Sequence, residues 1–193
     1  MKKLVYVLTI SVALAAQSCG NSSGSATDTS DTTEMAADSM MAGDTSRNTV
    51  AASDTAFANK AAVGGMAEVE FGKLALEKAN NPKVKDFASM MVKDHGKAND
   101  ELKAIASAKN IMLPSTLDTE HAKIHEELNS RTGVEFDKAY VKAMVEGHKK
   151  TLALMEDGSK NCQDAELKGF AARTAPVVKH HLDLINQIQR EVK

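Results

Sequence analysis

Four polar side chains interrupt apolar stripes at helical spacing. Glu70 falls within Val63, Ala67, Glu70 and Leu74, and His95 within Phe87, Met91, His95, Ala98 and Leu102. His148 falls within Val141, Met144, His148, Leu152 and Met155, and His181 within Phe170, Thr174, Val178, His181, Ile185 and Ile188. Asp94, beside His95, is a further carboxylate candidate. One carboxylate and three imidazoles could hold Fe, Cu, Zn or Mn. Met91 and Met144, each one turn from a His, tilt that choice toward copper. The same side chains could instead form a buried polar layer that bonds to itself and sets helix register. Residue type alone leaves both readings open. Glu-x-x-His, the spacing by which di-iron bundles take ligands from two helices, is absent from the long helices, which argues against a ferroxidase centre. No catalytic set is singled out: there is no Gly-rich phosphate loop, Ser nucleophile elbow or recognisable Cys–His pair.

The elements that must position these residues are helices. Aromatics make up only 4% of the chain, with no Trp, and no candidate strand exceeds a few residues. Helical periodicity begins at Ser53-Asp54, an N-cap signal, and recurs through Val63, Ala67, Glu70 or Phe71, and Leu74. Asn80-Asn81-Pro82 stops it and restarts a second helix, with Pro82 at a first helical position. That helix extends to about Lys109. A connector with Pro114 leads to a shorter helix over 117–129, which Gly133 ends. A third long helix spans about 134–158. Asp164 caps a fourth, over 165–191, in which Pro176 should produce a kink. Each long helix spans about 37 Å. Short connections near Asn81 and Cys162 make two antiparallel pairs. Counted from these turns, the four candidates lie within about one helical turn of a common depth. Gly64-Gly65 weakens the first helix, which predicts close helix approach or a bend. The expected fold is all-α: an up-and-down four-helix bundle with a short extra helix between helices two and three.

Charge divides the chain differently. Residues 1–19 carry +2, residues 20–60 carry −4 and residues 61–193 are neutral, so no basic stripe addresses nucleic acid. Met1-Lys2-Lys3 and the apolar run Leu4 to Ala16 read as an export signal, too short for a transmembrane helix. Ala16-Gln17-Ser18-Cys19 resembles the lipobox of bacterial lipoproteins, in which the Cys is acylated and becomes the mature N-terminus. Residues 1–19 are thus read as a signal peptide ending in lipidated Cys19. Residues 20–52, without Leu, Ile, Phe, Tyr or Trp, form a flexible Ser/Thr/Ala/Asp-rich tether, and residues 53–193 form the helical domain. Gly20 after the Cys favours the outer membrane, facing the periplasm. Met35, Met40 and Met41 in the tether and His121 with His125 on the short helix are lesser metal candidates. If Cys19 is lipidated, Cys162 has no internal partner, which leaves a disulfide-linked homodimer open. Nothing in the sequence names a protein partner.

Several segments resemble one family. They are Ala67-Glu68-Val69-Glu70-Phe71-Gly72-Lys73-Leu74-Ala75, Val84-Lys85-Asp86-Phe87-Ala88, Met91-Val92-Lys93-Asp94-His95, Phe136-Asp137-Lys138-Ala139-Tyr140 and Phe170-Ala171 with Pro176 and His181-Leu182. Together they resemble domain of unknown function 4142, a bacterial envelope group placed with ferritin-like bundles. The resemblance implies a ferritin-like, exported domain and no established activity. The function expected is a membrane-tethered helical module of the envelope with a non-catalytic binding, structural or stress-related role. The alternative is a metal-binding or redox protein with its site inside the bundle.

Overall fold

The computed structural model describes residues 50–192. The expected signal peptide, the expected lipidation at Cys19 and the expected tether as far as residue 49 lie outside the described residues. Five helices follow: α1 (Ala52–Lys78), α2 (Pro82–Ala108), α3 (Thr119–Asn129), α4 (Gly133–Asn161) and α5 (Ala165–Glu191). There is no strand among the described residues, as the composition predicts. Helix starts follow local chemistry. Asn81 accepts from the Lys83 N–H at 2.9 Å, Asp118 from the His121 N–H at 2.9 Å, and Asp164 from the Glu166 and Leu167 N–H groups at 3.0 and 3.1 Å. α5 runs through Pro176 as one helix.

Asp54 has a different use from the one expected. The N-cap of α1 is Ala51, which makes no side-chain cap. Asp54 is buried, and its Oδ2 accepts the N–H groups of Gln163 and Asp164 at 2.9 and 2.7 Å, in the turn between α4 and α5. Buried Asp137 of α4 does the same for the α1–α2 turn, accepting from Asn80 and Asn81 at 3.1 and 2.9 Å. Asp137 lies 83 residues after Asp54, and Gln163 and Asp164 lie 83 after Asn80 and Asn81, a separation that also relates Glu68 to Thr151. Phe57 and Tyr140, Phe87 and Phe170, and Leu102 and Ile185 obey the same offset, and all are buried. The two hairpins are therefore pseudo-equivalent halves, each pinning the other's turn.

These contacts give the topology. α1 packs against α2 and α4, and α5 packs against α4 and α2. Lys109, at the end of α2, pairs with Asp164 and Glu166 at the start of α5, both at 2.7 Å. The end of α2 thus lies at the opposite end of the helices from the start of α4, which Asp137 holds beside the α1–α2 turn. The link over 109–132 must cross that length, and its α3 lies against α1 and α4. A strictly up-and-down order is thereby corrected: α2 and α4 run in the same direction, joined by a crossover. Close approach, expected at Gly65, is present there, since a Cβ would fall 2.0 Å from Asn99 Oδ1.

The core has two apolar parts. One contains Phe71, Phe87, Met91, Phe136, Tyr140 and Met144. The other contains Phe57, Leu102, Met155, Leu167 and Phe170. The helices carry Glu68, His95, His148 and His181 between these two sets of positions.

Removing either turn-pinning carboxylate leaves two backbone N–H groups without their charged acceptor. Asp54→Ala and Asp137→Ala should each lower the unfolding free energy by about 2–4 kcal/mol. Because the two sites lie at opposite ends, the double variant should lose nearly the sum. Urea denaturation followed by circular dichroism measures both, and a loss near zero in either variant contradicts the pinning role.

Candidate metal centre

Each long helix contributes one side chain to the polar layer. Glu68 (α1) is 3% exposed, His95 (α2) 5%, His148 (α4) 0% and His181 (α5) 1%. The imidazole centroids are 5.3–5.7 Å apart. Phe87 packs beside His148 and His181 at 5.8 and 6.4 Å. The Glu68 carboxylate lies at the hub. Its Oε2 is 2.8 Å from His95 Nδ1, its Oε1 is 3.5 Å from His148 Nδ1, and Thr151 Oγ1 donates to Oε1 at 3.3 Å.

One nitrogen of every ring faces an acceptor. His148 Nδ1 donates to the Met144 carbonyl at 2.9 Å. A carbonyl can only accept, so Nδ1 carries the proton and neutral His148 has its lone pair on Nε2. His181 Nε2 donates to Asp94 Oδ2 at 3.2 Å, which leaves the lone pair on Nδ1. His95 Nδ1 faces the Glu68 carboxylate. The remaining nitrogens, His95 Nε2, His148 Nε2 and His181 Nδ1, are buried and have no hydrogen-bond partner. One potential ligand atom from each ring lies within 4.8 Å of the others. Three such points share a centre within about 2.8 Å of each, and a small contraction would reach the ~2.0–2.1 Å of a metal–imidazole bond. Buried polar atoms are ordinarily satisfied, so three unpartnered nitrogens in one layer, with His95 offering its lone pair once it gives up its Nε2 proton, suit a cation better than a self-contained polar network. The outer hydrogen bonds to carboxylate and carbonyl are the orienting contacts that metal-bound imidazoles use.

The electrostatics also keep the rings poised. Burial pushes the Glu68 pKa upward, but His95, His148 and the Thr151 hydroxyl overcome it and hold it at about 2. Burial pulls His95 down, and the adjoining Glu68 charge, with help from Asp94, reverses this and raises it. Burial lowers His148 despite Glu68. Burial, with repulsion from His95 and His148, lowers His181 to about 4.

The predicted α1 ligand is corrected. Glu70 is on the outer face, its side chain 45% exposed and bonded to Lys73 at 2.8 Å. The buried stripe of α1 passes through Ala58, Ala61, Ala62, Gly65, Glu68, Phe71, Gly72 and Ala75, so Glu68 points inward and Glu70 does not. Turn counting held a signal for this: Glu68 is 13 residues before Asn81 and His95 is 14 after it. Asp94 stands behind the cluster as the orienting partner of His181. His121 and His125 lie beside the Phe71 ring, at 6.4 and 6.2 Å, with His121 Nδ1 held 2.6 Å from Asp118. Cys162 is buried, and burial, followed by Asp54 and neighbouring acids, pushes its thiol up to about 11, which disfavours disulfide exchange.

Fold and site together define an all-helical protein with a buried three-histidine, one-carboxylate layer. The chain belongs to the family described as domain of unknown function DUF4142, which matches residues 39–188. A search of curated proteins returned no match. Among solved structures it is similar to a DUF305 fragment from Deinococcus radiodurans, with a TM-score of 0.66, 10% identity, and 74% of this chain and 98% of that one covered. It is also similar to CopM in the Cu(II)-bound form, with a TM-score of 0.63, 15% identity, and coverage of 72% and 97%. CopM in the Ag-bound form gives a TM-score of 0.60 at 16% identity, with coverage of 72% and 96%. At these identities the likeness is one of fold.

The layer sets a pH response for the metal-free protein. Glu68 at about 2 against an ordinary 4.5, His181 at about 4 against 6.5, and the lowered His148 all make the folded state bind fewer protons than the unfolded chain. Their contributions are lost as pH falls. That of His95, whose pKa is raised above 6.5, is full below that value and fades as pH rises through its folded pKa. The urea midpoint should therefore drop as pH falls from 6.5 toward 4, and His181→Gln should flatten that slope. A midpoint independent of pH over this window contradicts the assignment.

Proposed function

We propose that this protein is a transition-metal-binding module of the bacterial envelope, built on a ferritin-like four-helix frame. Its ligands are His95 Nε2, His148 Nε2 and His181 Nδ1, with Glu68 available as a carboxylate donor. The observation that carries this reading is three buried histidines, each with one unpartnered nitrogen, that can bring one ligand atom apiece within 4.8 Å of the others. A metal bound there would supply Lewis acidity or a redox couple. Glu68, Asp94 and the Met144 carbonyl orient the rings, and Phe87 excludes water. Imidazole and carboxylate suit Cu(II), Zn or Fe, and stability order among divalent ions puts Cu(II) first. CopM, similar in fold, is a protein with Cu- and Ag-bound forms, which supports the same direction. The missing Glu-x-x-His pairs speak against a di-iron centre.

Reconstituted protein should bind one Cu(II) per chain, measured by elemental analysis and isothermal titration. Asp94→Asn should weaken binding by about 10–100-fold, as loss of an orienting partner does. His95→Ala, His148→Ala and His181→Ala should weaken it more, and Glu70→Gln should leave it unchanged. Metal at trace level in wild type and His95→Ala alike would return the layer to a register device. The signal, Cys19 and the spacer support lipid anchorage at the outer membrane, facing the periplasm. Cys19→Ala should move the protein from the membrane to the soluble fraction. Continued membrane association with acyl labelling contradicts the anchor.

A further inference from the structure

The proposed centre is enclosed by four helices, so an ion needs a way in. An open cleft of about 1130 Å³ lies along α1, α3 and α4, and Glu68 and Thr151 line it. Glu68 thus meets the cleft while its other carboxylate oxygen touches His95. Two cleft residues beside this pair have no side chain. A Cβ on Gly147 would lie 4.0 Å from Glu68 Oε1, and one on Gly64 would lie 3.8 Å from Thr151 Oγ1. Both are ordinary contact distances, so neither glycine is required by a clash there. Neither has a positive φ. Two helix-weakening residues without a packing requirement stand beside the one carboxylate that lines the cleft and also touches an imidazole. On the α2 side, Asp94 is 34% exposed but bonds only to the outer nitrogen of His181, away from that ring's free lone pair.

We infer that divalent transition-metal ions enter the centre from the α1/α4 cleft through the Gly64–Gly147 window, with Glu68 as the first ligand they meet. The inference rests on the metal site proposed above. A route affects how fast an ion moves, not the depth of the well. Filling the window must therefore slow loading and release alike.

Stopped-flow absorption with Co(II), read by the d–d bands of the bound ion, tests this on the full chain. Gly147→Leu should slow association and dissociation by roughly tenfold or more, equivalent to about 1.4 kcal/mol on the barrier, while the equilibrium affinity stays near wild type. Gly147→Ala, which adds only a methyl group at contact distance, should slow them less. Gly96→Leu is the control, because a Cβ there meets nothing within 4 Å. Wild-type rates in a folded Gly147→Leu protein that binds Co(II) overturn the window and direct attention to the Asp94 side. Slowing of Gly96→Leu to the same extent also overturns it. Absence of a Co(II) signal in wild type overturns the metal site, and the route with it.

Discussion

An ionised carboxylate with almost no access to water is the constraint around which this domain is organised. Desolvation alone would neutralise Glu68, so its charge persists only because His95, His148 and Thr151 surround it. The pairing raises the pKa of His95, while burial lowers those of His148 and His181. Each imidazole is held on one nitrogen, by Glu68, the Met144 carbonyl or Asp94, and bare on the other. The chemistry of the layer follows from that division. Removing the carboxylate would leave His95 Nδ1 without its acceptor and let burial lower the pKa of that ring.

The frame carrying this layer is nearly symmetric, whereas the layer is not. Asp54 and Asp137 perform the same task for opposite turns, and large core residues recur at a separation of 83. At the corresponding positions, Glu68 faces Thr151, His148 matches Gly65, His95 matches Val178 and His181 matches Ala98. Only one of each pair is a donor with a free lone pair or charge. Asn99 packs against Gly65, filling the space where a second copy of His148 would otherwise stand. The symmetric parts provide stiffness and a fixed helix register. The asymmetric parts concentrate the polar side chains on one centre, where a symmetric duplication would have made two half-sites.

Much of this was legible along the chain. Asn81-Pro82, Asp164 and Gly133 punctuate the helices because capping and helix breaking are local events, and the observed bounds follow them closely. His95, His148 and His181 were legible because strongly amphipathic helices define one inward face, and each His lies on it. α1 was harder to read. It is rich in Ala and Gly on several faces, so apolar patterning sets its rotation poorly. Glu68 and Glu70, two residues apart, fall on opposite sides of that uncertainty. Asp54 was misread for a related reason: an acid in a first turn ordinarily serves its own helix, and only the neighbouring hairpin reveals another set of N–H groups within reach.

By itself, the sequence determined the helical class, the lengths of the elements and the identity of the three imidazoles, because periodicity and capping act over a few residues. Tertiary structure alone decided which carboxylate enters the core, which nitrogen of each ring is bound and which is bare, and that α2 and α4 run the same way across a long link. Those outcomes depend on groups tens of residues apart coming within about 3 Å, a distance set by helix packing and not by spacing along the chain.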